Sequence, residues 1–248
     1  MNKTKIEWCD YTINPVKGLC PMACEYCYAR AMYKRFKWNP EIRFEPLDYI
    51  KYPAEAKVFI GSTMELFGEW VKESWLDQVF EWCRRLPEVT FIFLTKKPQK
   101  LEKWSPFPEN AWVGQTLTAG ESDYVSLYNR MYELEKVEAK VKFISFEPLQ
   151  GRVDLPNIPF LEQGFRECGI NWVIIGAQTP RSEKTFPKWQ WVREIIEAAD
   201  KSSIPVFLKP NLGLLEYSCE GSAPFYRRHQ SGTWKLMRQE LPAPVVKE

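Results

Sequence analysis

Cys20, Cys24 and Cys27 stand within eight residues, in the run Cys20-Pro-Met-Ala-Cys24-Glu-Tyr26-Cys27. Three thiolates so closely spaced reach one metal centre only if the backbone loops around it. An iron-sulfur cube normally takes four cysteines, so a compact triad leaves a distant cysteine to complete the shell, or an iron with an open position. The alternatives are a zinc knuckle or a complete four-cysteine cluster using Cys9, Cys83, Cys168 or Cys219. Zinc sites more usually pair two Cys-x2-Cys elements or add histidines. The chain has one histidine, His229, which also removes Ser-His-Asp relays except through that residue. Seven cysteines, an odd number, are not the framework of a secreted disulfide protein.

The elements that must position this loop follow from periodicity. Short apolar runs at Lys5–Trp8, Val58–Gly61, Thr90–Thr95, Ala111–Leu117, Val141–Phe146, Trp172–Gly176 and Pro205–Lys209 read as strands. Most are continuous rather than alternating, as expected of parallel strands covered on both faces. Helical patterning fills Tyr28–Phe36, Ser74–Leu86, Pro98–Trp104, Asp123–Glu138 and Trp189–Lys201, with Ser74 as an N-cap. Repeated βα units with right-handed crossovers close naturally into a full or partial barrel, an α/β fold whose chemistry gathers at the C-terminal ends of the strands. From Asn211 onward the chain reads as irregular, with one short helix near Trp234–Gln239.

Composition agrees with a globular enzyme-sized chain: 248 residues, 45% hydrophobic, 27% charged, net charge +2. Near-neutral charge excludes the strongly basic class of nucleic-acid binders. No run of about 18 apolar residues exists and the first residues lack an apolar signal region, so the expectation is a cytoplasmic protein without a membrane partner.

The spacing of Cys20, Cys24 and Cys27, with Tyr26 before the last cysteine, resembles the signature of the radical S-adenosylmethionine (SAM) superfamily, whose members use a partial (β/α)6-type TIM barrel. A closer resemblance covers Ile6 to Gly213. It rests on Ile6-Glu7-Trp8, Asn14-Pro15, Cys27-Tyr28-Ala29, Leu94-Thr95-Lys96, Phe146-Glu147-Pro148-Leu149, Asp154-Leu155 and Trp172-Val173-Ile174. These look like the phage- and bacterium-associated radical SAM proteins of largely unassigned function, a family similar in organisation to spore photoproduct lyase, an enzyme of DNA repair. Where many relatives carry an acid after the sixth strand, this chain has Gly176-Ala177-Gln178-Thr179.

The resemblance implies a [4Fe–4S] cluster on the three cysteines, SAM on the fourth iron, and reductive cleavage to a 5'-deoxyadenosyl radical that abstracts hydrogen from substrate. It implies residues 1–213 as the barrel domain and 214–248 as an extension packed on or beside it, and an electron donor such as a flavodoxin or ferredoxin. SAM contacts are expected from Tyr26, from Ser62, Thr63 and Glu65 after the second strand, and from Thr95 and Lys96 after the third. Gln115 and Thr116 on the fourth strand are placed for ribose hydroxyls, and Glu147 and Lys209 close later strands. The bland readings are a solvated lysine at Lys96 or Lys209 and a structural hydrogen bond at Glu147.

Two patches interleave cations with aromatics: Arg30, Tyr33, Lys34, Arg35, Phe36, Lys37 and Trp38; and Phe225 to His229 with Trp234, Lys235 and Arg238. Cations neutralise phosphates and rings stack on bases, so a nucleic acid or nucleotide substrate is the expectation. The alternatives are a radical enzyme acting on a peptide or small metabolite, and an iron-sulfur electron carrier or redox sensor.

Overall fold

The computed structural model describes residues 2–47, 50–118, 124–153, 160–180, 183–212, 226–228, 234–236 and 238–242. The chain forms two compact units, Met1–Thr116 with Glu133–Lys142, and Leu117–Tyr132 with Phe143–Glu248.

In the first unit four parallel strands lie side by side: β1 (Tyr11–Ile13), β2 (Lys57–Ile60), β3 (Thr90–Thr95) and β4 (Ala111–Thr116), in register Tyr11↔Val58, Val58↔Phe91 and Phe91↔Ala111. Asn2–Lys3 adds an antiparallel edge to β1. Strand β4 is buried along its whole length and β3 nearly so, the pattern of strands with both faces covered. Helices α1 (Tyr28–Phe36) and α2 (Glu73–Arg84) follow β1 and β2.

Helix α2 buries Leu76, Val79, Phe80 and Cys83, the i, i+3, i+4, i+7 pattern of one apolar stripe. Its Phe80 ring meets Phe93 of β3 at 5.4 Å and 61°, and Phe107 at 5.5 Å and 83°. Such edge-to-face pairs contribute about 0.5–1.5 kcal/mol each beyond the area they bury. Phe67 joins the cluster, 6.5 Å from Phe93, and thereby anchors the segment that leaves β2.

The second unit carries three parallel strands, β5 (Val141–Phe146, whose first two residues belong to the first unit), β6 (Trp172–Ile175) and β7 (Val206–Leu208), paired Phe143↔Trp172 and Val173↔Val206. Its helices are α3 (Tyr124–Tyr132), α4 (Phe160–Glu167) and α5 (Trp189–Lys201). A Cβ on Gly164 of α4 would lie 1.7 Å from Met131 Cε, so the absence of a side chain there lets α3 and α4 meet. Residues 226–228 and 234–236 form a two-stranded antiparallel ribbon.

The fold class is the α/β one expected, made of the successive parallel βα repeats from which partial (β/α)6 barrels are built. Several boundaries differ. The first strand is Tyr11–Ile13, not Lys5–Trp8. Thr4 Oγ1 accepts the Ile6 N–H and the Cys9 N–H donates to the Ile6 carbonyl, folding that run into a turn. Trp8 is still buried, its ring 4.9 Å from Phe59. Helix α2 is entered through Lys72 rather than capped by Ser74.

Pro98–Trp104 makes two single 3-10 turns. Helix α3 stops at Tyr132, short of the expected Glu138, and Asp123 lies outside the described residues. The helix expected near Trp234 is the strand Trp234–Leu236. Helix α4 was not anticipated, because glycine in an eight-residue segment weakens helix propensity by about 1 kcal/mol and only the packing against Met131 explains it.

Candidate metal and cofactor site

The cysteine loop leaves a short ribbon in which Val16–Lys17 pairs with Arg43–Phe44. Gly18 turns the chain at φ +122°, so close to Glu41 that a Cβ would lie 2.6 Å from its carbonyl oxygen; only glycine fits there. The Gly18 N–H donates to Tyr33 Oη at 2.8 Å, and Arg30 Nη2 donates to the Cys20 carbonyl at 2.9 Å. Two side chains of α1 thus hold the start of the loop that precedes that helix. At its other end the Cys27 N–H closes on the Cys24 carbonyl at 3.1 Å, and Cys27 is the N-cap residue of α1, with no side-chain capping bond.

Cys20, Cys24 and Cys27 are free and half-buried, whereas the free thiols of Cys9, Cys83 and Cys168 are buried. Burial pushes the Cys20 thiol up from its ordinary value, while the backbone N–H groups of Glu65 and Met22 oppose that rise. The Glu65 N–H donates to Cys20 Sγ at 3.5 Å. Donors aimed at sulfur stabilise a ligating thiolate and tune a cluster's potential. Among the described residues no three His, Cys, Asp or Glu side chains converge as a single metal ion requires. The buried cysteines have other engagements: Cys9 Sγ lies 4.0 Å from the Ile6 carbonyl, and Cys168 Sγ donates to the Met131 carbonyl at 3.4 Å. Cys219 lies outside the described residues.

The segment after β2 is fixed residue by residue. Gly61 takes φ +83°, and Leu66 occupies the space where a Cβ would stand. Asn14, directly after β1, accepts the Thr63 N–H on Oδ1 at 3.0 Å and bonds Ser62 Oγ through Nδ2 at 3.1 Å. Tyr28 Oη donates to the Ser62 carbonyl at 2.6 Å. Glu65 is buried, and both its oxygens are engaged: Oε1 accepts the Phe67 N–H at 3.0 Å and the Thr95 hydroxyl at 2.6 Å, and Oε2 accepts the Lys96 N–H at 2.7 Å. This carboxylate therefore ties the end of β2 to the end of β3. Beyond it the Lys96 ammonium lies 5.4 Å from the centroid of the Tyr26 ring, a cation–π contact back to the cysteine loop. Gln115 and Thr116 end β4, both buried.

In the second unit Glu147 follows β5 and Lys209 follows β7, and the two pair at 2.7 Å, with side chains 16% and 20% exposed. The Ser145 hydroxyl donates to the other Glu147 oxygen at 3.1 Å. A Cβ on Gly176 would stand 2.7 Å from Glu147 Oε1, so the glycine after β6 makes room for the carboxylate. Nearby, Asn211 Nδ2 donates to the Ala177 carbonyl at 2.6 Å, and Gln150 Nε2 to Gln178 Oε1 at 2.8 Å.

All the strand-end residues singled out in the sequence thus stand where β2 to β5 and β7 finish. Tyr26, Cys20, Glu65, Thr95 and Lys96 are joined in one network. Ser62 and Thr63 are joined through Asn14, and Glu147 and Lys209 are joined to each other. Asn14, Tyr28, Arg30 and Tyr33 were missed as positioning residues. Arg30 was findable, because it lies one helical turn after Cys27. His229 lies outside the described residues, and the side chains of Arg227 and Arg228 are not described.

No curated protein matches the chain. Among solved structures it is similar to a double mutant of spore photoproduct lyase with bound AdoMet and dinucleoside spore photoproduct, at 14% identity and TM-score 0.48 over 96% of this chain and 71% of that one. It is also similar to spore photoproduct lyase complexed with dinucleoside spore photoproduct, at 15% identity and TM-score 0.47 over the same shares. A family model described as "Protein of unknown function (DUF5131)" matches residues 3–217, and the chain belongs to that family.

Proposed function

We propose that this protein is a radical SAM enzyme acting on a nucleic acid or nucleotide in the cytoplasm, reduced by a donor such as a flavodoxin or ferredoxin. The observation that carries the reading is the loop of three free, half-buried thiols, one of which already accepts a backbone N–H from the end of a parallel strand. When bound, a [4Fe–4S] cluster with SAM at its open iron supplies one-electron cleavage of SAM and hydrogen abstraction from the substrate.

The chain's own residues then have distinct tasks. Cys20, Cys24 and Cys27 bind the cluster, and the Glu65 N–H steadies the charge on Cys20. The Ser62–Thr63 backbone, fixed by Asn14 and Tyr28, offers carbonyls to an ammonium group. Lys96, held over Tyr26, presents a point charge to a carboxylate. Gln115 and Thr116 present hydrogen-bonding groups to ribose hydroxyls. In the second unit the Lys209–Glu147 pair offers charge of either sign to a polar ligand. Residues 1–213 form the catalytic body and 214–248 an extension of it.

The test is anaerobic reconstitution with iron and sulfide, followed by a low-potential reductant and SAM. The expected result is thiolate-to-iron absorption together with formation of 5'-deoxyadenosine, increased by an oligonucleotide or nucleotide. A cluster that never yields 5'-deoxyadenosine would make the protein an electron carrier or sensor. Stimulation by a peptide or small metabolite, and by no nucleotide, would replace the substrate class.

A further inference from the structure

The end of α1 carries an exposed surface that the cofactor site does not use. Residues 34–40 are exposed without interruption, and they include Phe36 at 51% and Trp38 at 42%. The two rings are stacked, centroids 5.5 Å apart and planes at 24°. Behind them Tyr33 braces Trp38 edge-on at 5.3 Å, while its hydroxyl accepts the Gly18 N–H. The rings thus stand on the helix end against Tyr33, which itself is bonded to the start of the cysteine loop.

The charge on α1 and its C-cap has one sign. Helix α1 contains no acid, and Lys34 and Arg35 occupy its last turn, with Lys37 in the left-handed C-cap. The Arg35 guanidinium lies over the Phe36 ring at 5.3 Å. Among the described residues no carboxylate pairs with Lys34, Arg35 or Lys37, in contrast to Lys97, Lys103 and Arg152, which all form ion pairs. Exposed rings cost hydration that a folded surface ordinarily avoids, and three unpaired cations beside them match an anionic ligand with flat faces.

We infer that Phe36 and Trp38 form a stacking platform for the bases of a single-stranded nucleic acid, with Lys34, Arg35 and Lys37 taking its phosphates. This inference rests on the nucleic-acid part of the function proposed above and names the surface that holds the strand. A single strand fits better than a duplex because its bases are free to lie on the rings. An anionic membrane is the poorer occupant: the exposed apolar area is two rings on a short helix, flanked by charge, where interfacial helices present a long apolar face.

The experiment is fluorescence anisotropy of a labelled oligothymidylate with the full chain at low salt, repeated as salt rises. Stacking on an aromatic contributes about 1–3 kcal/mol per base, so Trp38→Ala should weaken binding roughly 5- to 150-fold and Trp38→Phe far less. Replacing Lys34, Arg35 and Lys37 together by Ala should flatten the log-log salt dependence by about 2, from about 0.7 per phosphate contact on a single strand. Tyr128→Ala, an exposed ring on α3, is the control and should leave affinity unchanged. Far-ultraviolet circular dichroism confirms that each variant is folded.

If wild type binds and the Trp38→Ala and cation variants bind equally well, the platform is wrong while the nucleic-acid reading stands. If wild type binds no strand even at low salt, both fall. Capture of phosphatidylserine vesicles through these same residues, without oligonucleotide binding, would make the surface a membrane contact and overturn the inference.

Discussion

Each unit places a glutamate just past the end of a parallel strand, and the two are used differently. Glu65 is buried and satisfied by neutral donors, two backbone N–H groups and a hydroxyl. Glu147 is partly exposed and satisfied by the Lys209 ammonium and the Ser145 hydroxyl. A carboxylate that terminates two loops cannot leave its partners without freeing three donors at once. A carboxylate held by one ammonium and one hydroxyl has fewer bonds to give up to a ligand than one that ties three donors of two loops. The first unit is therefore built to fix backbone around the thiols, and the second keeps a charge pair available.

The largest effect that sharpens this contrast concerns the cysteines. Cys20→Ala, Cys24→Ala or Cys27→Ala should each remove the visible cluster absorption and 5'-deoxyadenosine formation to background, whereas Cys168→Ala in the second unit should retain both. Loss of the cluster in Cys168→Ala, with the protein still folded, would assign a fourth ligand and end the open-iron proposal.

Next in size is Glu65→Ala. It leaves the Phe67 and Lys96 N–H groups and the Thr95 hydroxyl without their acceptor, and a buried unsatisfied donor costs about 1–3 kcal/mol. The expected loss is roughly 3–5 kcal/mol in chemical denaturation, with Glu65→Gln losing less because an amide oxygen still accepts. An Ala variant within about 0.5 kcal/mol of wild type would show that the clamp is dispensable.

Smaller again is the charge pair. Glu147→Gln or Lys209→Met should each cost about 1–2 kcal/mol, and the double variant should cost less than their sum, since removing both charges leaves neither unpaired. Additive stability losses would break the comparison with Glu65, making Glu147 a second structural clamp.

What the sequence could reveal follows chain distance. The thiols lie within one loop and the strand ends are marked by apolar runs that stop at Gly61, Thr95, Glu147 and Lys209, so both were legible. The bond from Glu65 to Thr95 spans thirty residues, and no local pattern distinguishes a clamping acid from a ligand-binding one. The misplaced first strand has the same origin: Trp8 is buried from a turn, while the real strand, Tyr11–Ile13, is three residues long and carries a polar Thr12 at its centre. Helix α4 was hidden by Gly164, whose value lies entirely in the Met131 side chain that fills its missing Cβ.

The smallest prediction sets one tyrosine of each unit against the other. Tyr52 packs between Tyr11 and Trp82, and its hydroxyl has no hydrogen-bond partner among the described residues. Burial, with the nearby Tyr11 in a minor role, pushes it up to about 12. Tyr132 of the second unit is also raised, by burial and by donating its hydroxyl to Glu167. Raising the value of an acid in the folded state means that the unfolded chain ionises first. The stability tied to Tyr52 is therefore complete below about pH 10 and is lost as pH rises from there through about 12. Tyr52→Phe should flatten the alkaline decline of stability in that window while leaving pH 7 stability within about 0.5 kcal/mol or slightly higher, since it removes a buried hydroxyl without a hydrogen-bond partner among the described residues. Tyr132→Phe deletes a hydrogen bond and should instead lower stability modestly at pH 7. Denaturant titrations of both variants at pH 7 and across pH 9 to 11.5 measure this, and a marked loss at pH 7 on Tyr52→Phe would show that the hydroxyl has a partner after all.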